Sequence, residues 1–464
     1  MIFARALNVW KGFTSGSINR RIFHAMAVIA VATVGVKAAA MIKDMIVAGK
    51  FGLGDDLDAF LIALVVPTFA TAVLAQAFIG AFMPAFIRVR EQEGEARARR
   101  IFAHVMLLDL LILLAAAALL AVFGLPILRV LAPEFSASKL ELTHELYMIL
   151  LPMVVLTGQC GLWGAVLNAG EKFALVALAP IATPLLIVAL LIAVGADITA
   201  VAWGTVLGAA VELVVIGVTL ARRGLFPLPR WHRDRSATAE VLRHYVPLMA
   251  STVIMSGAGV VDQAMASWLG SGAVAALSFG NKIPSFLTAI GVSAIGTAVL
   301  PHFSRLIAVG DHASLRHVLR TYAFAILALS VPVTAALIVG SEWIIAILFQ
   351  RGAFTRDDTS LVAFIQQMYF LQVPFFMLGM LGVRLLLATS RTYLITAMSV
   401  VNLAVNVVGN LVFMRWLGVS GIALSSAVVY MVSMTMIWIL VRRYLAESDA
   451  QGGPGEEKAE PAAP

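Results

Sequence analysis

The sequence predicts an all-α polytopic membrane protein: about twelve transmembrane helices in two six-helix lobes around a central cavity. Three observations carry this. Only 13% of the 464 residues are charged and 61% are hydrophobic, about half the charge of a soluble domain. Apolar runs of about 20 residues, long enough to cross a bilayer as helix, recur from end to end. Landmarks of the first half also return in the second half at one fixed offset.

In chain order, residues 1–22 form a cytoplasmic N-terminal segment. The apolar run that follows Arg20–Arg21 leads into a charged stretch with no A-x-A site after it, so it reads as a retained span and not a cleaved signal. The first lobe, 23–221, holds spans at 23–48, 57–87, 101–128, 144–169, 174–195 and 199–221. A basic linker, 222–242, leads to the second lobe, 243–441, with spans at 243–269, 273–305, 318–347, 361–389, 393–416 and 419–441. Residues 442–464 form a cytoplasmic tail whose Pro/Gly/Glu/Ala-rich end cannot bury a core and reads as disordered. Lys and Arg set the orientation: one set of loops holds 22 of them and the opposite set 6. Both termini are therefore cytoplasmic, which requires an even number of spans.

The repeat lies in the second and eighth spans. "PTFATAVLAQAFIGAFMPAFIR" (67–88) and "PSFLTAIGVSAIGTAVLPHFSR" (284–305) align at an offset of 217. Pro67 matches Pro284, Phe69 Phe286, Pro84 Pro301, Phe86 Phe303 and Arg88 Arg305. "APEFS" (132–136) and "RGAFT" (351–355) continue the correspondence. The offset skips an even number of spans, so the halves share an orientation, as in parallel-repeat transporters with a substrate path between lobes.

Four basic residues remain inside the spans: Lys37, Lys43, Lys282 and Arg384. A charge at the bilayer centre costs at least ~2.5–3.5 kcal/mol, so such residues face water or pair. Lys37 and Asp44 share a helix face about two turns apart, with Asp44 a candidate counter-ion, while Lys43 points about 120° away from Lys37. Lys282 sits between Asn281 and Pro284, where freed carbonyls need partners. The competing reading is snorkelling to an interface. Converging lysines would attract an anion, and a diphosphate suits point-charge partners.

The single Cys160 excludes a disulfide framework, and it lies in an apolar run as packing filler. Scattered His residues and the lack of HExxH, Walker A or GxSxG patterns argue for a transporter and not an enzyme. Trp163, Trp203 and Trp268 read as packing or interface residues. "RVREQEGEARARR" (88–100) reads as a solvated cytoplasmic loop, with docking of an envelope-synthesis partner as the alternative. The net charge of +7 serves orientation and not nucleic-acid binding.

Several stretches resemble the MurJ/MviN lipid II flippases, within the multidrug/oligosaccharidyl-lipid/polysaccharide exporter superfamily. They are "KDMIVAGKFGLGDDLDAFLIALVVP" (43–67), "AFMPAF" (81–86), "GNKIPS" (280–285), "GTAVLPHFSRL" (296–306) and "LFQRGAFT" (348–355). The resemblance covers the chain to about residue 440. It implies two lobes around a cationic cavity open to each side in turn. The cargo it implies is undecaprenyl-pyrophosphate-linked peptidoglycan precursor, moved from the inner to the outer leaflet of the bacterial cytoplasmic membrane. The cavity basics fall at Lys37, Lys43 and Lys282, with Lys in place of the family's usual Arg, and at Arg384. An acidic residue important to the family falls at Asp58. A sodium ion held by some members would fall to Asp262, Asn402 and Asn406, a donor set suited to a hard cation. Without the resemblance, Asn402, Asn406 and Asn410 read as a polar interhelical seam. No other cofactor is implied, and the expected form is a monomer in contact with membrane lipids.

Two family positions depart. Thr71 stands where a cavity arginine is expected and Gln76 where an acid is, and the chain has twelve spans where many members have fourteen. Another lipid-linked polysaccharide unit is therefore the alternative cargo. A cation-coupled drug antiporter, which would want an acidic cavity, is the more distant alternative. A non-transporting scaffold for envelope synthesis is a third.

Overall fold

The computed structural model describes residues 17–170, 173–225, 235–389 and 392–451. Residues 1–16, the middle of the expected linker (226–234), Lys172, Arg391 and the end of the expected tail (452–464) lie outside the described residues. Among those described there are helices and turns and no strand.

Twelve long helices follow in order. α1 is Ser17–Phe51, α2 Asp55–Glu93, α3 Glu95–Leu131, α4 Ala137–Ala169, α5 Phe173–Ala193 and α6 Ile198–Arg222. α7 is Arg235–Ser267. α8 runs Ala273–Gly280 and, past Asn281, Lys282–Val309. α9 is His312–Val339, followed by a short helix Ser341–Phe349. α10 is Arg356–Ala388, α11 Thr392–Leu417 and α12 Val419–Gln451. Eleven of these are long and apolar enough to cross a membrane. α1 has the length of a span, at 35 residues, and carries Lys37, Lys43, Asp44 and Lys50 in its second half. Helix extends into the segments expected as N-terminal segment, linker and tail: α1 begins at Ser17, α7 at Arg235, and α12 continues to Gln451.

Local chemistry explains the breaks. Gly94, at φ +88°, makes the one-residue turn between α2 and α3. Asp197 caps α6 by accepting the Thr199 N–H at 2.9 Å, and Asp311 caps α9 by accepting the Ser314 N–H at 2.9 Å. Pro67 interrupts the α2 ladder. Four residues on, Thr71 Oγ donates to the Pro67 carbonyl at 2.9 Å, and Ala72–Gln76 then widen into a π-turn. The two family departures, Thr71 and Gln76, flank or close that turn.

The chain divides into two compact units. The first comprises residues up to Ala275 together with Phe349–Thr355, and the second comprises Ala276–Leu348 and the residues from Arg356 onward. In the first unit, Phe78, Phe82, Phe86 and Phe102 anchor a buried core. Phe78 meets Tyr245 of α7 edge-on at 5.3 Å, so α7 packs with α2 although the linker precedes it. α6 lies directly on α5: a Cβ at Gly204 would come within 2.7 Å of Ile187 Cα, and one at Gly208 would strike Thr183. This is close packing through a small-xxx-small pair. In the second unit, Phe303, Phe370, Leu381, Leu385 and Val441 form the core. The repeat has a physical counterpart here. Phe86 and Phe303 are each buried in their own unit's core, and Pro67 and Pro284 are both buried inside helices.

Candidate functional site

Each residue singled out by the sequence is placed within its own unit. In the first, α1 presents Lys37 on an exposed face, with Val34 one turn earlier 60% exposed and open space around Gly35. Lys37 has no hydrogen-bond or ion-pair partner among the described residues. Asp44 is buried and forms an ion pair with its neighbour Lys43, so the counter-charge expected to serve Lys37 is engaged by Lys43. Past them, the Lys50 ammonium donates to the Leu191 carbonyl at the end of α5, at 2.9 Å.

Asp58 is fully buried near the start of α2. Its carboxylate accepts the Gly272 N–H at 2.7 Å, the Ala275 N–H at 2.8 Å and the Lys139 ammonium at 3.0 Å. Lys139 also donates to Asp55 at 2.6 Å and lies 4.1 Å from the Phe135 ring centroid. One carboxylate thus caps the first turn of α8 and ties it to α2 and α4. Anions are favoured at a helix N-terminus by its unpaired N–H groups. Loop counting reads Lys139 only as an orientation charge, and its burial is a tertiary fact.

The signature "RGAFT" packs in the first unit as well. Ala353 N–H donates to the Gly49 carbonyl at 2.8 Å, and Phe349 and Phe354 are buried. Gly52 and Gly352, both at φ +57°, leave no room for a Cβ between the two segments.

A search confined to basic groups passes over Asp109 on α3. It is 1% exposed and accepts from the Gln159 amide at 2.7 Å. Glu212, half-buried on α6, escapes the same way. The available signal was the presence of acids inside apolar runs. Asp262 is half-buried on α7, in the same unit.

In the second unit, Lys282 is half-buried at the start of the longer α8 segment, and its neighbour Asn281 keeps near-helical angles, so the chain bends little there. Arg384 is half-buried on α10 with its Nε enclosed and without a partner. Asn402, Asn406 and Asn410 line one stripe of α11 against serines of α12. Asn402 Nδ2 donates to Ser433 Oγ at 3.2 Å, and Ser425 Oγ donates to the Asn406 backbone carbonyl at 3.2 Å. Asn406 and Asn410 are buried. The stripe therefore does hold an interhelical seam. The Asn402 Oδ1 is enclosed without a donor, an oxygen chemically suited to a hard cation.

The model of the family described as "Lipid II flippase MurJ" matches residues 47–453, so Lys37, Lys43 and Asp44 precede the matched segment. A relative from Rhizobium meliloti named "Probable lipid II flippase MurJ" is 28% identical over 438 residues, covering 88% of this chain and 79% of its own. One of the same name from Synechocystis sp. is 26% identical over 447 residues, covering 92% and 83%. Among solved structures, "Lipid II flippase MurJ, inward closed conformation" superposes with a TM-score of 0.77 at 21% identity, over 91% of this chain and 90% of that one. An inward-facing multidrug resistance MATE family transporter of the MOP superfamily gives 0.74 at 15% identity, over 91% and 99%. At these identities the structures show the shared fold.

Proposed function

The chain belongs to the MurJ lipid II flippase family, and from that premise we propose that it carries an undecaprenyl-pyrophosphate-linked glycan, lipid II, from the inner to the outer leaflet by alternating access. The observation that supports this cargo is Lys37: an ammonium in the middle of a long apolar helix, exposed and without a partner among the described residues. An unneutralised cation at such a position is expensive and is retained for a ligand. Lys37 and Lys43, and in the other unit Lys282 and Arg384, are the proposed pyrophosphate ligands. The glycan stays in water and the prenyl tail in the bilayer. An inside-negative potential favours outward movement of the anion by ~2.3 kcal/mol per charge per 100 mV.

A sodium ion on Asp262, Asn402 and Asn406 is the proposed coupling ion. The donor set is all oxygen, and the enclosed Asn402 Oδ1 fits it. The protein works as a multi-pass component of the bacterial inner membrane, with both termini on the cytoplasmic side.

The test is translocation of fluorescent lipid II in proteoliposomes. Lys37→Ala and Lys282→Ala are each expected to cut the initial rate at least tenfold with folding intact. If both lysines act on one pyrophosphate, the double variant is no slower than the worse single one. Full activity in Lys37→Ala removes the site. Mass spectrometry of the co-purifying lipid separates lipid II from another lipid-linked saccharide.

A further inference from the structure

The cytoplasmic ends of α2, α3, α4 and α6 enclose a second cationic feature, within the first unit and apart from every residue proposed above. It is a cavity of about 260 Å³ with an apolar floor, including Phe86, Ala98 and Val166, and a charged rim of Arg90, Glu95 and Arg223. The Lys and Arg bias puts this end at the cytoplasmic face.

The rim is not neutral. Glu95 is taken by Arg99, one turn on in α3, at 3.1 Å. Arg90 Nη1 donates to the Ala169 carbonyl at the C-terminus of α4, at 2.7 Å, which fixes the guanidinium at the rim and uses one of its five donors. Arg223 ends α6 exposed and has no partner among the described residues. Arg99 Nη1 also lies against Gly224, 3.2 Å from where a Cβ would stand. The rim thus carries two guanidinium groups, Arg90 and Arg223, beside one carboxylate that already has its own arginine.

We propose that this cavity binds the phosphate of an anionic ligand, with a phospholipid headgroup of the inner leaflet as the occupant. Planar guanidinium forks match phosphate oxygens, and basic pockets between helices at the cytoplasmic face suit such headgroups. The apolar floor receives the glyceride end of the molecule. The site holds a resident lipid against α2, α3, α4 and α6, and it stands whether or not the cargo is lipid II.

The probe is dioleoyl phosphatidylglycerol added to the full-length protein in a neutral detergent, read by thermal melting and by native mass spectrometry. Phosphatidylglycerol is expected to raise the melting temperature and remain bound, whereas dioleoyl phosphatidylcholine does neither. R223Q, at an exposed position, is expected to bind phosphatidylglycerol about tenfold more weakly, the loss of one charge-assisted hydrogen bond. R90Q should behave the same way, judged against its own baseline because Arg90 also caps α4. R415Q, on an exposed basic residue at the other face, should bind like the parent. Protection by inorganic phosphate that also depends on Arg223 would support the site and assign it to a free anion. Equal protection by both lipids, or unchanged binding by R223Q, overturns the proposal.

Discussion

Two lysine–aspartate arrangements in the first unit use the same chemistry to opposite ends. At the start of α2, Asp58 is fully buried and its carboxylate accepts from two backbone N–H groups at the start of α8, Gly272 and Ala275, and from the ammonium of Lys139. In the middle of α1, Asp44 pairs with Lys43 on the same helix, and Lys37 is left exposed and unneutralised. The first cluster joins three helices that are far apart in sequence. The second pairs two neighbours on one helix and leaves Lys37 exposed beside them. Buried charges that hold a fold are satisfied on all sides, because an unpaired one costs several kcal/mol. A charge left open is available to a ligand.

The comparison breaks first, and with the largest effect, at Asp58→Ala. Removing the carboxylate leaves Lys139 buried with Asp55 alone and strips two N–H groups of their acceptor. Losing one partner of a buried pair costs about 3–5 kcal/mol. The variant is expected to melt far below the parent in detergent, or to fail to accumulate. Asp58→Asn keeps an acceptor for the N–H groups and should fall between the two. A parent-like melting temperature for Asp58→Ala would show that the cluster does not hold the fold.

A second structural device has no charge at all. Gly208→Val forces a branched side chain into Thr183 of α5, where there is no room even for a Cβ. Overpacking of this kind costs about 1–3 kcal/mol, which a thermal melt resolves. A stable Gly208→Val would mean that α5 and α6 slide apart easily.

How much of this was legible beforehand differs by level. Twelve spans, two prolines inside α2 and a repeat pairing Phe86 with Phe303 could be read directly, because hydropathy and spacing are local properties of the chain. Lys37 could be singled out because an isolated charge in an apolar run is visible without coordinates. The partner of Asp58 could not. Lys139 lies 81 residues away in what reads as a loop, and only folding buries it. Helical phase pairs Asp44 with Lys37, yet a flexible lysine next in sequence reaches it. The packing of α7 against Phe78 was equally hidden, since the linker before it marks a change in composition and not in contacts.

Asp311 makes the comparison quantitative in water, because it does at the start of α9 what Asp58 does at the start of α8. It is half-buried, and hydrogen bonds from the Ser314 hydroxyl and N–H hold its carboxyl below the usual carboxylate range. A depressed native value means that the stabilisation is complete above the unfolded-state value, near 3.9, and is lost as pH falls through the native one. Melting temperature of the parent should therefore drop slightly more than that of Asp311→Asn between pH 5 and pH 3 (roughly the carboxylate range). Identical pH profiles would show that the cap adds nothing.

Lys37→Leu should change stability least, and it sharpens the contrast most. If Lys37 faces water, exchanging it for leucine alters no contact, and the shift stays within about 0.5 kcal/mol. If it faces acyl chains, removing a buried charge stabilises the protein by at least ~2.5 kcal/mol on the insertion scale. The two outcomes differ in size enough to be separated by melting in lipid nanodiscs. Lys43→Leu is the internal control: it takes from the buried Asp44 its ion pair with Lys43 and should destabilise under the same conditions. A neutral Lys37→Leu beside a destabilised Lys43→Leu would place the functional charge in an aqueous path and the structural charge next to it on the same helix, six residues and about 120° apart.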